Sequence, residues 1–222
     1  YLLPDGRHRI EIRSDDFRIS RFKQKTTSTT IFVVDASGSS ALHRLAEAKG
    51  AVEIILSECY VRRDHVALIA FRGTTAETLL PPTRSLTRAH RSLAALPGGG
   101  GTPLANAIES ALQLAATQKQ KGISPTVVLL TDGKANIARD GKPGRKQALA
   151  DARDAAAGLR ALGINALLID TSPRRNAEAE ELATAMAARY MPLPHADSAR
   201  LSDAVFQARR DQDERGGSRS RS

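Results

Sequence analysis

The stretch Ile31-Phe32-Val33-Val34-Asp35-Ala36-Ser37-Gly38-Ser39 decides the fold of this chain. Four apolar residues, three of them β-branched, read as a buried strand, and the acidic and hydroxyl residues follow where that strand surfaces. Working outward, Val127-Val128-Leu129-Leu130 repeats the device and ends on Thr131-Asp132-Gly133. Between them, Gly98-Gly99-Gly100-Gly101-Thr102 separates a helical pattern from the next helix. In an open parallel sheet, ligands sit outside the carboxyl ends of the strands, where the strand order reverses, and three separated segments can meet there.

The oxygen chemistry of these segments points to a divalent cation. Magnesium takes oxygen ligands and is held by one or two carboxylates while keeping some of its waters. Ser37 and Ser39, one residue apart on a turn that Gly38 makes easy, can aim two hydroxyls at one ion. Thr102 adds a third, and Asp35 and Asp132 supply the charge. Only two carboxylates oppose such an ion, which leaves an open, electrophilic coordination position that a carboxylate from a partner protein is a natural group to fill. Taken alone, Asp35-Ala36-Ser37-Gly38-Ser39 also suits a helix cap. The glycine run lacks the Gly-Lys-Ser/Thr ending of a phosphate loop, because Thr102 and Pro103 follow it. Ser37 lacks a Gly-x-Ser-x-Gly elbow, which leaves no mark of a serine nucleophile.

Along the chain, strand and helix patterns alternate, which predicts a doubly wound, mainly parallel sheet with helices on both faces. Strands are predicted at 29–35, 65–71, 126–131 and 165–170, with a short edge strand near 77–80 stopped by Pro81-Pro82. Helices are predicted at 42–58, 86–96, 103–118, 145–162, 177–188 and 198–209. Thr102 and Pro103 suggest an N-cap and first-turn pair, and Gly163 suits a helix C-terminus. The domain reading is a basic extension over 1–28 with a β-hairpin pattern, one α/β domain over 29–210, and a disordered tail over 211–222.

Composition bounds the function classes. The chain has 222 residues, 41% hydrophobic, enough for one substantial core. No apolar run approaches the ~20 residues that span a bilayer, so no membrane span is expected. The single Cys59 precludes an intrachain disulfide and is read as a small packed helix residue in a reducing compartment. Net charge is +9, of which the segments 1–28 (seven basic, four acidic) and 207–222 (five basic, three acidic) contribute +5, leaving the body mildly basic. With 4% aromatic residues and no Trp, stacking surfaces are scarce, and no specific nucleic-acid partner is expected. The histidines His8, His43, His65, His90 and His195 show no metal-ligand spacing. Lys134 is read as an exposed lysine beside the second acidic turn.

The pattern Asp35, Ser37, Ser39, then Thr102, then Asp132 resembles the metal-ion-dependent adhesion site of the von Willebrand A, or integrin I, family. Segments 56–64, 70–73, 79–86 and 96–104 further resemble the C-terminal integrin I domain of magnesium-chelatase D subunits, a likeness covering about residues 9–210. That resemblance implies an antiparallel edge strand in the sheet and Mg2+ or Mn2+ at the five residues, with no catalytic residue in this domain. It implies as partners the AAA+ I subunit, the porphyrin-binding H subunit and other D subunits in a ring. ATP would bind only the AAA+ modules of the parent complex, an ATP-dependent ligase that inserts magnesium into protoporphyrin IX for (bacterio)chlorophyll synthesis. The implied compartment is the bacterial cytoplasm or the plastid stroma. An adhesion or scaffold domain of another AAA+ or cobalt-chelatase-like system, and a metal-dependent hydrolase, are the alternatives.

Overall fold

The structure, a computed structural model, describes residues 27–37, 56–57, 59–96 and 98–193. Its centre is β1 (Ser28–Asp35), whose residues 29–34 are all buried. Strand β2 (His65–Arg72) pairs with it in parallel on one side and β4 (Ser124–Thr131) in parallel on the other. The sheet has six strands in the order β3-β2-β1-β4-β5-β6, completed by β3 (Thr75–Thr83), β5 (Asn165–Asp170) and β6 (Arg189–Pro192). Among the described strands, only β3 runs antiparallel to its neighbour. The chain leaves β1 toward β2 and returns on its other side as β4, so the order reverses at β1 and opens a crevice at its carboxyl end.

Alternation of side chains sends each central strand into two cores. Ile31 and Val33 of β1 join Ala67, Ile69, Val127 and Leu129 under one layer of helices; Phe32 and Val34 join Leu68, Leu130, Leu167 and Ile169 on the other face. The first layer consists of α2 (Leu104–Gln120), α3 (Arg145–Ala161) and α4 (Ala177–Met186). It is built largely from alanine, with Ala107, Ala111, Ala115, Ala148, Ala152 and Ala156 buried, which lets the helices approach closely. The second face is covered by α1 (Leu86–Ala94), through Ala89 and Leu93, and by the helical residues Leu56 and Cys59. Cys59 is packed there, its Sγ 3.5 Å from the Thr30 hydroxyl.

Most predicted elements are present, and four differ. Strand β3 runs nine residues and passes through Pro81 and Pro82 instead of stopping at them. It lies at the edge of the sheet, where a missing N–H costs little, and its register with β2 shifts between Val66 and Ile69. The helix predicted over 177–188 ends at Met186 with Ala187 left-handed, because residues 189–192 form β6, a strand missed in the sequence. Thr102 is not a helix cap: Pro103 holds the N-cap position of α2, without any side-chain bond. Helix α1 is shorter than predicted, ending at Ala94. Gly163 does follow α3 closely, with its N–H donating to the Arg160 carbonyl at 3.0 Å. The hairpin expected in 1–28, the helix over 198–209, the tail over 211–222 and most of the helix over 42–58 lie outside the described residues; the described part of that last helix continues to 61.

The alanine layer makes a direct prediction. Ala156→Leu, at a side chain with no exposure, should destabilise the domain by roughly 1–3 kcal/mol through overpacking, whereas Leu162→Ser, at 42% exposure, should cost under about 0.5 kcal/mol. Urea midpoints for the two variants check this.

Candidate metal centre

Strand β1 delivers Asp35 to the crevice, and the chain turns at once. The Asp35 carboxylate accepts the Ser37 N–H at 2.9 Å through Oδ1 and the Thr131 hydroxyl at 3.3 Å through Oδ2. The Ala36 N–H donates to the Phe71 carbonyl at 3.1 Å, and the Ala36 carbonyl accepts the Gly99 N–H at 2.9 Å. The turn is thereby clamped between the end of β2 and the glycine run. Burial pushes the Asp35 carboxyl above its usual range; the Asp132 charge adds to the rise, and bonds from Ser37 and Thr131 oppose it.

The glycine run exists for close approach. A Cβ at Gly101 would fall 2.6 Å from the Gly73 carbonyl oxygen and 2.5 Å from Ile137 Cγ1, so any side chain would push the run off the β2–β3 turn. That approach carries Thr102 to the site. Its N–H donates to Asn136 Oδ1 at 2.7 Å, its carbonyl accepts the Asn136 N–H at 3.3 Å, and its hydroxyl donates to the Ser37 hydroxyl at 2.7 Å. Asp132 follows β4; its Oδ1 accepts the Lys134 N–H at 3.2 Å and its Oδ2 pairs with the Lys134 ammonium at 2.9 Å, the two side chains being 15% and 60% exposed.

The structure therefore gathers Asp35, Ser37 and Thr102 by direct or shared hydrogen bonds and sets Asp132 close enough to raise the Asp35 pKa. Ser39, with Gly38, lies outside the described residues, as do His8, His43 and His195. His65, whose pKa is lowered by burial and by Arg84, stands at the opposite end of β2 from this site. Two contributors went unread in the sequence. Thr131 was visible in the quoted motif, but a threonine closing a strand is ordinary; Asn136 sits in a loop where polar residues are the rule, and nothing local marks it.

A hard cation fits this donor set. All donors are oxygens, and Asp35 is a buried carboxylate that no lysine or arginine pairs with among the described residues. No cluster of three or more His, Cys, Asp and Glu side chains forms among the described residues, so they build no zinc-type cage.

Residues 30–134 match the family model of the von Willebrand factor type A domain. The chain is 52% identical, over 194 residues, to the magnesium-chelatase 60 kDa subunit of Cereibacter sphaeroides, covering 87% of this chain and 35% of that protein. It is 40% identical over 205 residues to the magnesium-chelatase 67 kDa subunit of Chlorobaculum tepidum, covering 88% of this chain and 33% of the relative. The chain thus spans about a third of the length of these curated relatives. Among solved structures, the von Willebrand factor domain of the type V pili tip protein Mfa5 from Porphyromonas gingivalis superposes with a TM-score of 0.67 at 12% identity, covering 82% of this chain and 95% of that one. That likeness is one of fold.

The buried carboxylate has a consequence for stability. With its pKa raised in the native state, ionised Asp35 opposes folding above that pKa, and the metal-free domain gains stability as pH falls through it toward the unfolded value of 3.8. Asp35→Asn should therefore raise the melting temperature of the metal-free protein at pH 7, by about 2–4 °C for each kcal/mol recovered. The gain should shrink as pH is lowered. Calorimetry in EDTA across pH 4–7.5 reads both effects.

Proposed function

Because the chain belongs to the von Willebrand factor type A domain family, in the group of the magnesium-chelatase D subunits, we propose that it is a metal-dependent docking module of a chelatase assembly. Asp35, Ser37, Ser39, Thr102 and Asp132 hold Mg2+, or Mn2+ in its place. The observation that carries this reading is the 2.7 Å bond between the Thr102 and Ser37 hydroxyls beside the buried Asp35. The two hydroxyls meet beside the Asp35 carboxylate, which the Ser37 side chain also hydrogen-bonds, so three oxygen-bearing side chains converge at one point.

A divalent ion held there supplies an electrophilic position for one more oxygen ligand. The chain's own residues do the rest. Asp35 and Asp132 balance the ion's charge, and an incoming carboxylate suits the remaining position because hard divalent cations take anionic oxygen ligands. Ser37 and Thr102 leave the cluster neutral apart from those acids, and Asn136 and the glycine run keep Thr102 in place. The crevice at the carboxyl end of β1 faces outward and suits a protein partner's acidic side chain.

In this reading the partner is an AAA+ subunit of the chelatase or another copy of the D subunit, with the porphyrin-binding subunit present in the same complex. The whole enzyme inserts magnesium into protoporphyrin IX with ATP bound in its AAA+ modules, and the ion at Asp35 is resident, distinct from the ion delivered. The domain itself carries no catalytic residue. No helix among the described residues is long and apolar enough to cross a membrane.

A pull-down of the AAA+ chelatase subunit by this chain should require magnesium. Binding should weaken by about tenfold or more, ~1.4 kcal/mol, in EDTA or with Asp132→Ala. Capture that is indifferent to both would remove the metal from the interface. In a reassembled chelatase, Asp132→Ala should lower porphyrin metallation in proportion to the lost binding, and unchanged turnover would make the site dispensable.

A further inference from the structure

Asn176 lies in the loop between β5 and α4 and bonds to three separate parts of the fold. Its backbone N–H donates to Asp170 Oδ2 at 3.2 Å, and its side-chain Oδ1 accepts the Glu178 N–H at 3.0 Å as the N-cap of α4. Its Nδ2 donates to the backbone carbonyl of Asp132 at 2.6 Å, and the Ser172 hydroxyl lies 3.5 Å from the same carbonyl. On the other side of Asp132, Gly133 has φ +78°, and a Cβ there would fall 2.6 Å from the Ala179 nitrogen. The Asp132–Gly133 peptide thus rests on the first turn of α4. One residue earlier, the Thr131 carbonyl accepts the Thr171 N–H at 3.1 Å.

The segment that presents Asn176 is itself anchored. Asp170 has no exposure, and its carboxylate also accepts the Ser172 N–H at 2.8 Å and the Tyr190 hydroxyl at 2.5 Å. Burial and the Asp170 charge push the Tyr190 hydroxyl up to about 12, so it remains a donor at neutral pH. A carbonyl held by a fixed amide cannot swing, and the peptide plane it belongs to sets the direction of the Asp132 Cα–Cβ bond. If the Asp132 carbonyl turned, its carboxylate would leave the side of the crevice where Asp35 stands.

We propose that Asn176 is a positioning residue for Asp132, its side-chain amide locking the Asp132 peptide so that the carboxylate faces the Asp35, Ser37 and Thr102 cluster. This rests on the reading of Asp132 as a cation ligand. The amide acts through a backbone carbonyl and touches neither ion nor partner. Losing an outer hydrogen-bond partner of a metal ligand usually costs about ten- to a hundredfold in metal affinity.

Capping and positioning can be separated, because serine and aspartate are both good N-caps but lack the amide donor. Isothermal titration of the full chain with Mn2+ should show Asn176→Ser binding at least about tenfold more weakly, with the metal-free melting temperature within about 2 °C of the parent. Asn176→Asp should also bind more weakly, although its added negative charge would by itself draw a cation in. As a control for cap loss, Ser85→Ala removes the bond from the Arg88 N–H at the start of α1 and should lower the melting temperature while leaving Mn2+ affinity unchanged. Parental or tighter Mn2+ affinity in both Asn176 variants would overturn the proposal. If Asp132→Ala also bound Mn2+ like the parent, the failure would lie with Asp132 as a ligand and not with Asn176 alone.

Discussion

A carboxylate at the end of a fully buried strand is the constraint on which the rest of this structure depends. Strand β1 is hydrogen-bonded on both sides and covered on both faces, so it cannot shift to hydrate Asp35. The charge must be met where it is. The Ser37 N–H and the Thr131 hydroxyl meet part of it, and the remaining deficit appears as a raised pKa. Local hydrogen bonds therefore offset only part of the cost of burying this carboxylate.

Support for the surrounding loops comes from backbone contacts more than from large side chains. The glycine run packs on the Gly73 carbonyl, the Ala36 turn is bonded on both of its sides, and Asn136 holds Thr102 through two bonds. The backbone contacts among these tolerate little displacement, because they have no rotamer to change. The helices behind the sheet obey the same rule: an interface of alanines sets the separation of α2, α3 and α4 by backbone width.

How much of this was legible follows from how local each signal is. Strands β1, β4 and β5 announce themselves as apolar runs, and Asp35 and Asp132 are conspicuous as acids directly beyond such runs. Thr102 was singled out as a candidate ligand by pattern, while its local surroundings suggested a cap; its hydroxyl goes instead to Ser37, 65 residues away, which no local rule detects. Strand β6 was hidden because Arg189-Tyr190-Met191-Pro192 has no alternation and borrows its conformation from pairing with β5. Asn136 and Asn176 act across 34 and 44 residues, through contacts that exist only after the sheet has formed.

Strand β3 carries a further meaning. Its outer side is a sheet edge, and free edges invite strands of neighbouring molecules to zip on, the more so where copies are gathered at high local concentration. Pro81 and Pro82 have no N–H to offer, and the register break beside them spoils the regular spacing a second strand would need. An added strand could therefore not run the length of β3. The residues that failed to end the strand instead guard it, keeping strand-by-strand self-association away from this edge of the sheet.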